Sequence, residues 1–182
     1  MSQPLNYKNT IKSRYDELGG LNYEMRYTEE QLAKYQLILK ELPTSDLLLD
    51  NGCGTGLIFP FIDSTLVGLD LSSGLLMKAR ERASETQFLV QGDSEYLPFR
   101  NNIFDAMVSV TVIQNLLNPE KMSSESARVT KPDSIVIISS LKRVYEKTED
   151  ITRIVKNEYL RLVRVFTDEN INDWITVSTK KQ

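Results

Sequence analysis

The chain has 182 residues, with 22 Lys+Arg against 25 Asp+Glu, a net charge of −3, one cysteine, no histidine and an apolar share of 41%. At about 100–200 residues per domain this is one domain with its own core. The missing histidines exclude Ser-His-Asp and Cys-His dyads, an imidazole base and His-built zinc sites, and the lone cysteine excludes an intrachain disulfide.

The slight acidity gives no general attraction to nucleic acid or to an anionic membrane. No apolar run approaches the ~20 residues of a spanning helix. The opening MSQPLNYKNTIKSRYDE has no apolar leader core. The expectation is a cytoplasmic protein without a membrane segment or a metal site.

Tyr15–Tyr27, rich in Tyr and Gly, reads as turns and short helix. Thr28, with Gln31 three residues on, reads as the capped start of a helix to Glu41. Leu32, Tyr35, Leu39 and Leu42 recur at helical spacing, and Pro43 stops the run. Strands and helices then alternate. Leu47–Leu49 is strand one, and Thr55–Ile62 a helix that Pro60 kinks or opens. Leu66–Leu69 is strand two, and Ser72–Ala83 a helix capped by Ser72. Gln87–Val90 and Phe104–Val110 are strands three and four, and Pro119–Val129 a helix. Ser134–Ser139 is strand five and Thr148–Val163 the last helix. Val165–Thr167 and Trp174–Ser178 are two closing strands. Alternation of apolar strands with helices predicts an α/β fold with a mostly parallel seven-stranded sheet, helices on both faces. Residues 1–44 form a helical cap or lid segment and residues 45–182 the binding domain.

The informative stretch is Asp50-Asn51-Gly52-Cys53-Gly54-Thr55-Gly56, where strand one ends. Glycines there let backbone approach a ligand with no Cβ between. The spacing G-x-G-x-G, preceded by an acid, is not the G-x-G-x-x-G of dinucleotide sites. Asp70 closes strand two and Asp93 follows strand three, in Gly92-Asp93-Ser94. Asp70 can accept two ribose hydroxyls, and Asp93 an exocyclic purine amine. No strand end carries a positive group. This lining suits an adenosine with a positive, phosphate-free tail.

In these segments, with Leu97-Pro98-Phe99 and Phe104-Asp105, residues 45–140 resemble the class I S-adenosylmethionine-dependent methyltransferases, of the small type-11 kind. The resemblance implies a Rossmann-like doubly wound fold and S-adenosylmethionine as cofactor, with S-adenosylhomocysteine as product. It implies that the Gly52–Gly56 backbone faces the methionyl part and that Asp50 helps hold its ammonium. Asp70 would take the ribose, Leu71 the adenine face, Asp93 and the Ser94 backbone the adenine edge. Thr111 would border the sulfonium.

The other residues have competing readings. Cys53 reads as a small buried filler rather than a nucleophile, and Asp105 as an acid bonding local backbone. Tyr15, Tyr23, Tyr27 and Arg26 either form a lid or pack the N-terminal segment on the sheet. As a lid, Arg26 meets the methionine carboxylate, and Tyr15 or Tyr27 shields the sulfonium. Gln114 and Asn115 face substrate or cap a helix entry. They are not the Asn/Asp-Pro-Pro-aromatic motif that orients planar amines. Arg153, Lys156, Arg161 and Arg164 fall on one side of the predicted last helix, as a solvated face or an RNA-binding one. A small zinc-ribbon activator subunit or a homo-oligomer is the partner the resemblance allows. The acceptor is open between RNA, protein and small molecule. Two readings compete with methyl transfer: a non-catalytic cofactor-binding or scaffold subunit, and a nucleotide-dependent oxidoreductase.

Overall fold

A computed structural model describes the backbone of residues 3–182 and the side chains of residues 6–17 and 28–182. Arg26, Tyr27 and Tyr23 therefore have side chains outside the described residues. The strands are β1 (Leu47–Asn51), β2 (Thr65–Asp70), β3 (Gln87–Gln91), β4 (Phe104–Ser109), β5 (Thr130–Leu141), β6 (Leu160–Phe166) and β7 (Asp173–Lys180). The helices are α1 (Gln3–Ile38), α2 (Ser73–Arg80), α3 (Pro119–Val129) and α4 (Thr148–Val155).

The strands form one sheet in the order β3-β2-β1-β4-β5-β7-β6. β1 to β5 run parallel, and β7 is antiparallel to both β5 and β6. Chain order reverses between β1 and β4, so a crevice opens beyond their carboxyl ends. Side-chain alternation divides the core into two layers. Leu48, Ala106, Val108 and Ile137 pack with Tyr35 and Ile38 of α1 and Leu76 and Ala79 of α2. Leu49, Met107, Val136 and Ile138 pack with Met122 and Ala127 of α3 and Ile151 and Ile154 of α4. The seven-stranded α/β sheet covered on both faces is as expected. Ser72 caps α2 as predicted, its Oγ accepting from the Leu75 N–H at 3.1 Å.

Three elements differ from the sequence expectation. Residues 15–27 are not turns; they lie inside α1, which runs unbroken through Gly19-Gly20 and past Thr28. Two helical glycines cost about 1 kcal/mol each relative to alanine. Contacts on both sides oppose that cost, since Asp16 accepts from Ser72 Oγ at 2.5 Å and the Gly74 N–H at 3.1 Å, while Ile38 is fully buried.

Thr55–Ile62 is not an α-helix; only a 3-10 turn forms, at Phe59–Phe61. Residues 55–59 are all buried, so this stretch has no solvent face, and Pro60 cannot continue an α-helical ladder. The last helix stops at Val155. Asn157 Oδ1 accepts from the N–H groups of Tyr159 and Leu160, at 2.8 and 2.9 Å, and turns the chain into β6. Leu160–Phe166 alternates branched apolar residues with arginines and pairs with β7 across a bulge at Leu162/Arg164. Arg161 and Arg164 thus lie on a strand, and the predicted basic helix face does not exist.

Candidate functional site

The crevice beyond β1 and β4 holds a cavity. Gly52, Gly54, Asp70, Leu71, Asp93, Ser94, Thr111, Tyr15 and Asn115 all line it. The glycine loop follows from β1: Gly52, Gly54 and Gly56 have φ of +87, +55 and +72°, conformations open to glycine and costly for branched residues. Their reasons differ. A Cβ on Gly52 would sit 2.2 Å from Val112 Cγ2, and one on Gly56 would sit 2.8 Å from the Phe59 ring. Gly56 therefore serves packing rather than the cavity wall.

Asp70 ties the loop. Its Oδ2 accepts from the Gly54 N–H at 2.9 Å and its Oδ1 from the Ser72 N–H at 2.8 Å. Burial raises its pKa against the pull of these bonds. Asp50 is 3% exposed, and its buried Oδ2 has no hydrogen-bond partner. Burial, with the neighbouring Asp70 charge, pushes its carboxyl up to about 8. Asp50 stands behind the loop rather than in the cavity wall. Cys53 is buried beside Gly68, where an added Cβ would lie 3.0 Å from its Sγ. Burial drives its thiol well up, which leaves it a filler and no nucleophile. Asp105 Oδ2 accepts from the Leu47 N–H at 2.9 Å, the local backbone bond expected of it.

Sequence reasoning missed the residues that α1 brings in. Lys8 Nζ lies 2.6 Å from Asp93 Oδ2 and 2.5 Å from Glu95 Oε2. Burial pulls the Lys8 pKa down, and the two hydrogen-bonded carboxylates more than restore it. Among the described residues the cavity is thus acidic with one cation, Lys8, and not free of positive charge. Asn115 Nδ2 donates to Tyr15 Oη at 3.0 Å, so the predicted lid tyrosine meets the predicted substrate-side amide.

Thr111 sits at φ +61°, a strained conformation for a β-branched residue. A buried network holds it there. Its N–H donates to Ser139 Oγ at 2.9 Å and its Oγ1 to Asp173 Oδ2 at 2.9 Å. Ser139 Oγ donates to the same Asp173 oxygen at 2.7 Å. Lys34 of α1, 1% exposed, donates to Thr111 Oγ1 at 3.0 Å and pairs with Asp173 Oδ1 at 2.9 Å and Glu30 Oε1 at 3.0 Å. One hydrogen bond and two close carboxylates thus compensate the buried ammonium.

Tyr15, Thr111 and Asn115 also line a second cavity, of about 860 Å³, between α1 and the segment after β5. Gln114 lines that second cavity and not the first. Among the described residues, no group of three potential metal ligands comes together, and no helix is long and apolar enough to cross a membrane.

The geometry suits S-adenosylmethionine better than a dinucleotide. Asp50 Oδ2 is buried without a partner, and a cation bound nearby would favour its charged form. A pyrophosphate needs a helix N-terminus after the glycine loop, and here that helix is reduced to the turn at Phe59–Phe61.

Comparison with known proteins agrees. The methyltransferase domain family matches residues 49–138. An uncharacterised protein of Methanocaldococcus jannaschii is 32% identical over 81% of this chain and 56% of its own length. A malonyl-[acyl-carrier protein] O-methyltransferase of a Marinomonas species is 32% identical over 76% of this chain and 54% of its own length. The chain spans about half the length of the curated relatives it matches. Two solved structures share the fold at low identity. One is the Haloferax volcanii methyltransferase in complex with the Trm112 activator, with TM-score 0.75, 15% identity and coverage of 92% of this chain and 98% of that one. The other is a TehB-like SAM-dependent methyltransferase of Corynebacterium glutamicum, with TM-score 0.72, 22% identity and coverage of 89% and 98%. Residues 49–138, which begin at the glycine loop and include the strand-end acids, thus belong to the methyltransferase domain family, in a fold shared with S-adenosylmethionine-dependent methyltransferases of known structure.

Proposed function

We propose that this chain binds S-adenosylmethionine in the first cavity and transfers its methyl group to an acceptor held in the second. The observation that carries this reading is the junction: Tyr15, Thr111 and Asn115 line both cavities. Bound there, the cofactor would supply a methyl carbon made electrophilic by its sulfonium. The rest is positioning and exclusion of water, which this chain's residues provide. Gly52 and Gly54 bring bare backbone to the methionyl end, and Asp50 balances its cationic charge from behind. Asp70 accepts from the ribose, Leu71 covers the adenine, and Asp93 with Ser94 meets its edge. Thr111, with its strained backbone locked by Asp173 and Ser139, borders the reacting atoms.

The N-terminal half of α1, with Lys8 and Tyr15, acts as the lid over residues 45–182. A small activator subunit belongs to this reading because one fold neighbour is solved with the Trm112 activator. A cytoplasmic location goes with it, since the single buried thiol needs no oxidising compartment.

The test is transfer of isotopically labelled methyl from S-adenosylmethionine into fractionated cell extract, with and without co-purifying proteins. Labelled product above a Gly54→Val control supports the reading. Tight cofactor binding with no labelled product in any fraction favours a non-catalytic subunit instead.

A further inference from the structure

The two cavities have opposite charge. Asp70, Asp93 and Glu95 line the first, with Lys8 as its only cation among the described residues. The second is lined by Arg14, Lys34, Lys142 and Arg143 against Glu30 and Glu146. Lys34 is already neutralised by Asp173 and Glu30. Lys142 Nζ donates to the Ile171 carbonyl at 2.9 Å, lies 5.5 Å from the Trp174 ring centre, and acts electrostatically on Asp168, so it is not free for a ligand. The side chains of Arg14 and Arg143, both exposed, form no ion pair or hydrogen bond with any described residue. Among the described residues, Arg14 and Arg143 thus face this cavity with one carboxylate outside the Lys34 cluster, Glu146.

The same cavity carries an unmet acceptor. Gln31 is 4% exposed and its Oε1 is buried without a hydrogen-bond partner. Gln114 Oε1, on the same wall system, is also unpartnered. A buried acceptor left unpaired is costly, so a ligand that reaches and donates to it gains affinity. The volume of about 860 Å³ falls in the range of small-molecule sites. Guanidiniums from two different elements, α1 and the segment after β5, suit forked recognition of a carboxylate or phosphate.

We propose that the second cavity binds a small organic anion, a carboxylate or phosphate that also carries a hydroxyl or N–H donor, with Arg14 and Arg143 holding the anion and Gln31 the donor. This rests on the methyltransferase reading for its meaning as the acceptor site, but the binding claim stands apart from it. It also accounts for the polarity of the pair of cavities: a cationic donor enters the acidic one and an anionic acceptor the basic one.

The experiment is calorimetry and thermal melting at constant ionic strength, with and without saturating S-adenosylhomocysteine. The probes are L-malate and glycerol 3-phosphate, each an anion with a hydroxyl, against their uncharged counterparts malamide and glycerol. At least one anion is expected to bind and raise the melting temperature, with its neutral counterpart inert. The double variant Arg14→Gln/Arg143→Gln should weaken that anion about tenfold or more and retain S-adenosylhomocysteine binding. Gln31→Leu should weaken the hydroxylated anion more than succinate, which lacks the hydroxyl. Neutral probes binding as well as the anions, anion binding that survives the double variant, or no anion binding at all each overturns the proposal. Failure of S-adenosylhomocysteine to bind, with the anion arm intact, counts against the cofactor reading alone.

Discussion

A methyl group added at Gly52 would lie 2.2 Å from Val112 Cγ2, on a backbone already at φ +87°. Gly52→Ala should therefore cost about 1–3 kcal/mol of stability, read by chemical denaturation. A cost under half a kcal/mol would mean that the loop relaxes freely. Asp70 bonds the loop through two backbone N–H groups, so Asp70→Ala should lose about 1–3 kcal/mol of stability as well as cofactor affinity. Unchanged affinity in a folded variant would remove Asp70 from the site.

Asp50 makes a pH prediction. Its carboxyl is held near 8 against 3.8 for a free one, so between those values the native chain retains a proton that the unfolded chain has lost. Its contribution to stability is fully present below pH 3.8, falls as pH rises toward 8, and levels off above. A cation bound beside it favours the carboxylate and expels that proton. Calorimetry at pH 7 in buffers of different ionisation enthalpy should show proton release on S-adenosylmethionine binding, absent in Asp50→Asn. Equal release in both proteins would separate Asp50 from the ligand. Asp50, Asp70 and Asp93 are legible in the sequence because each closes a strand within its own few residues. Lys8 and Lys34 are not, because their partners lie 85 residues away at Asp93 and 77 at Thr111. Nothing local marks a lysine that will be buried.

Among the elements, α1 joins the two ends of the site. Its N-terminal half brings Lys8, Tyr15 and Asp16 to Asp93, Asn115 and α2, and its C-terminal half brings Lys34 to β7. Lys34→Met leaves Asp173 charged and fully buried, and should cost about 3–5 kcal/mol. Adding Asp173→Asn should recover part of that loss, because the pair is coupled. Additive costs in a double-mutant cycle would mean that Lys34 does not tie α1 to the sheet through Asp173. The parallel strands were readable because buried strands are short apolar runs with turn residues at their ends. The continuous α1 was not, since Gly19-Gly20 argues against a helix that tertiary contacts on both sides sustain. The end of α4 is not legible in the sequence because Leu160–Phe166 carries arginines at a spacing that fits a helix face, while Asn157 turns the chain and the alternation of Leu160–Phe166 fits the sheet edge.

For the whole molecule, the reversal of strand order between β1 and β4 sets both cavities on one edge of the sheet, and α1 covers them. The charge pattern of the first cavity and the missing helix after its glycine loop support the proposed ligand class. Both favour a cationic compound over a pyrophosphate, which would meet the Asp70, Asp93 and Glu95 carboxylates with no helix N-terminus to receive it. The most direct measurement is one melting experiment on the purified chain with four ligands at equal concentration. S-adenosylmethionine and S-adenosylhomocysteine should each raise the melting temperature, by mass action on the folded state, while NAD and NADP leave it unchanged. A shift with NAD or NADP and none with the adenosyl compounds would contradict the account.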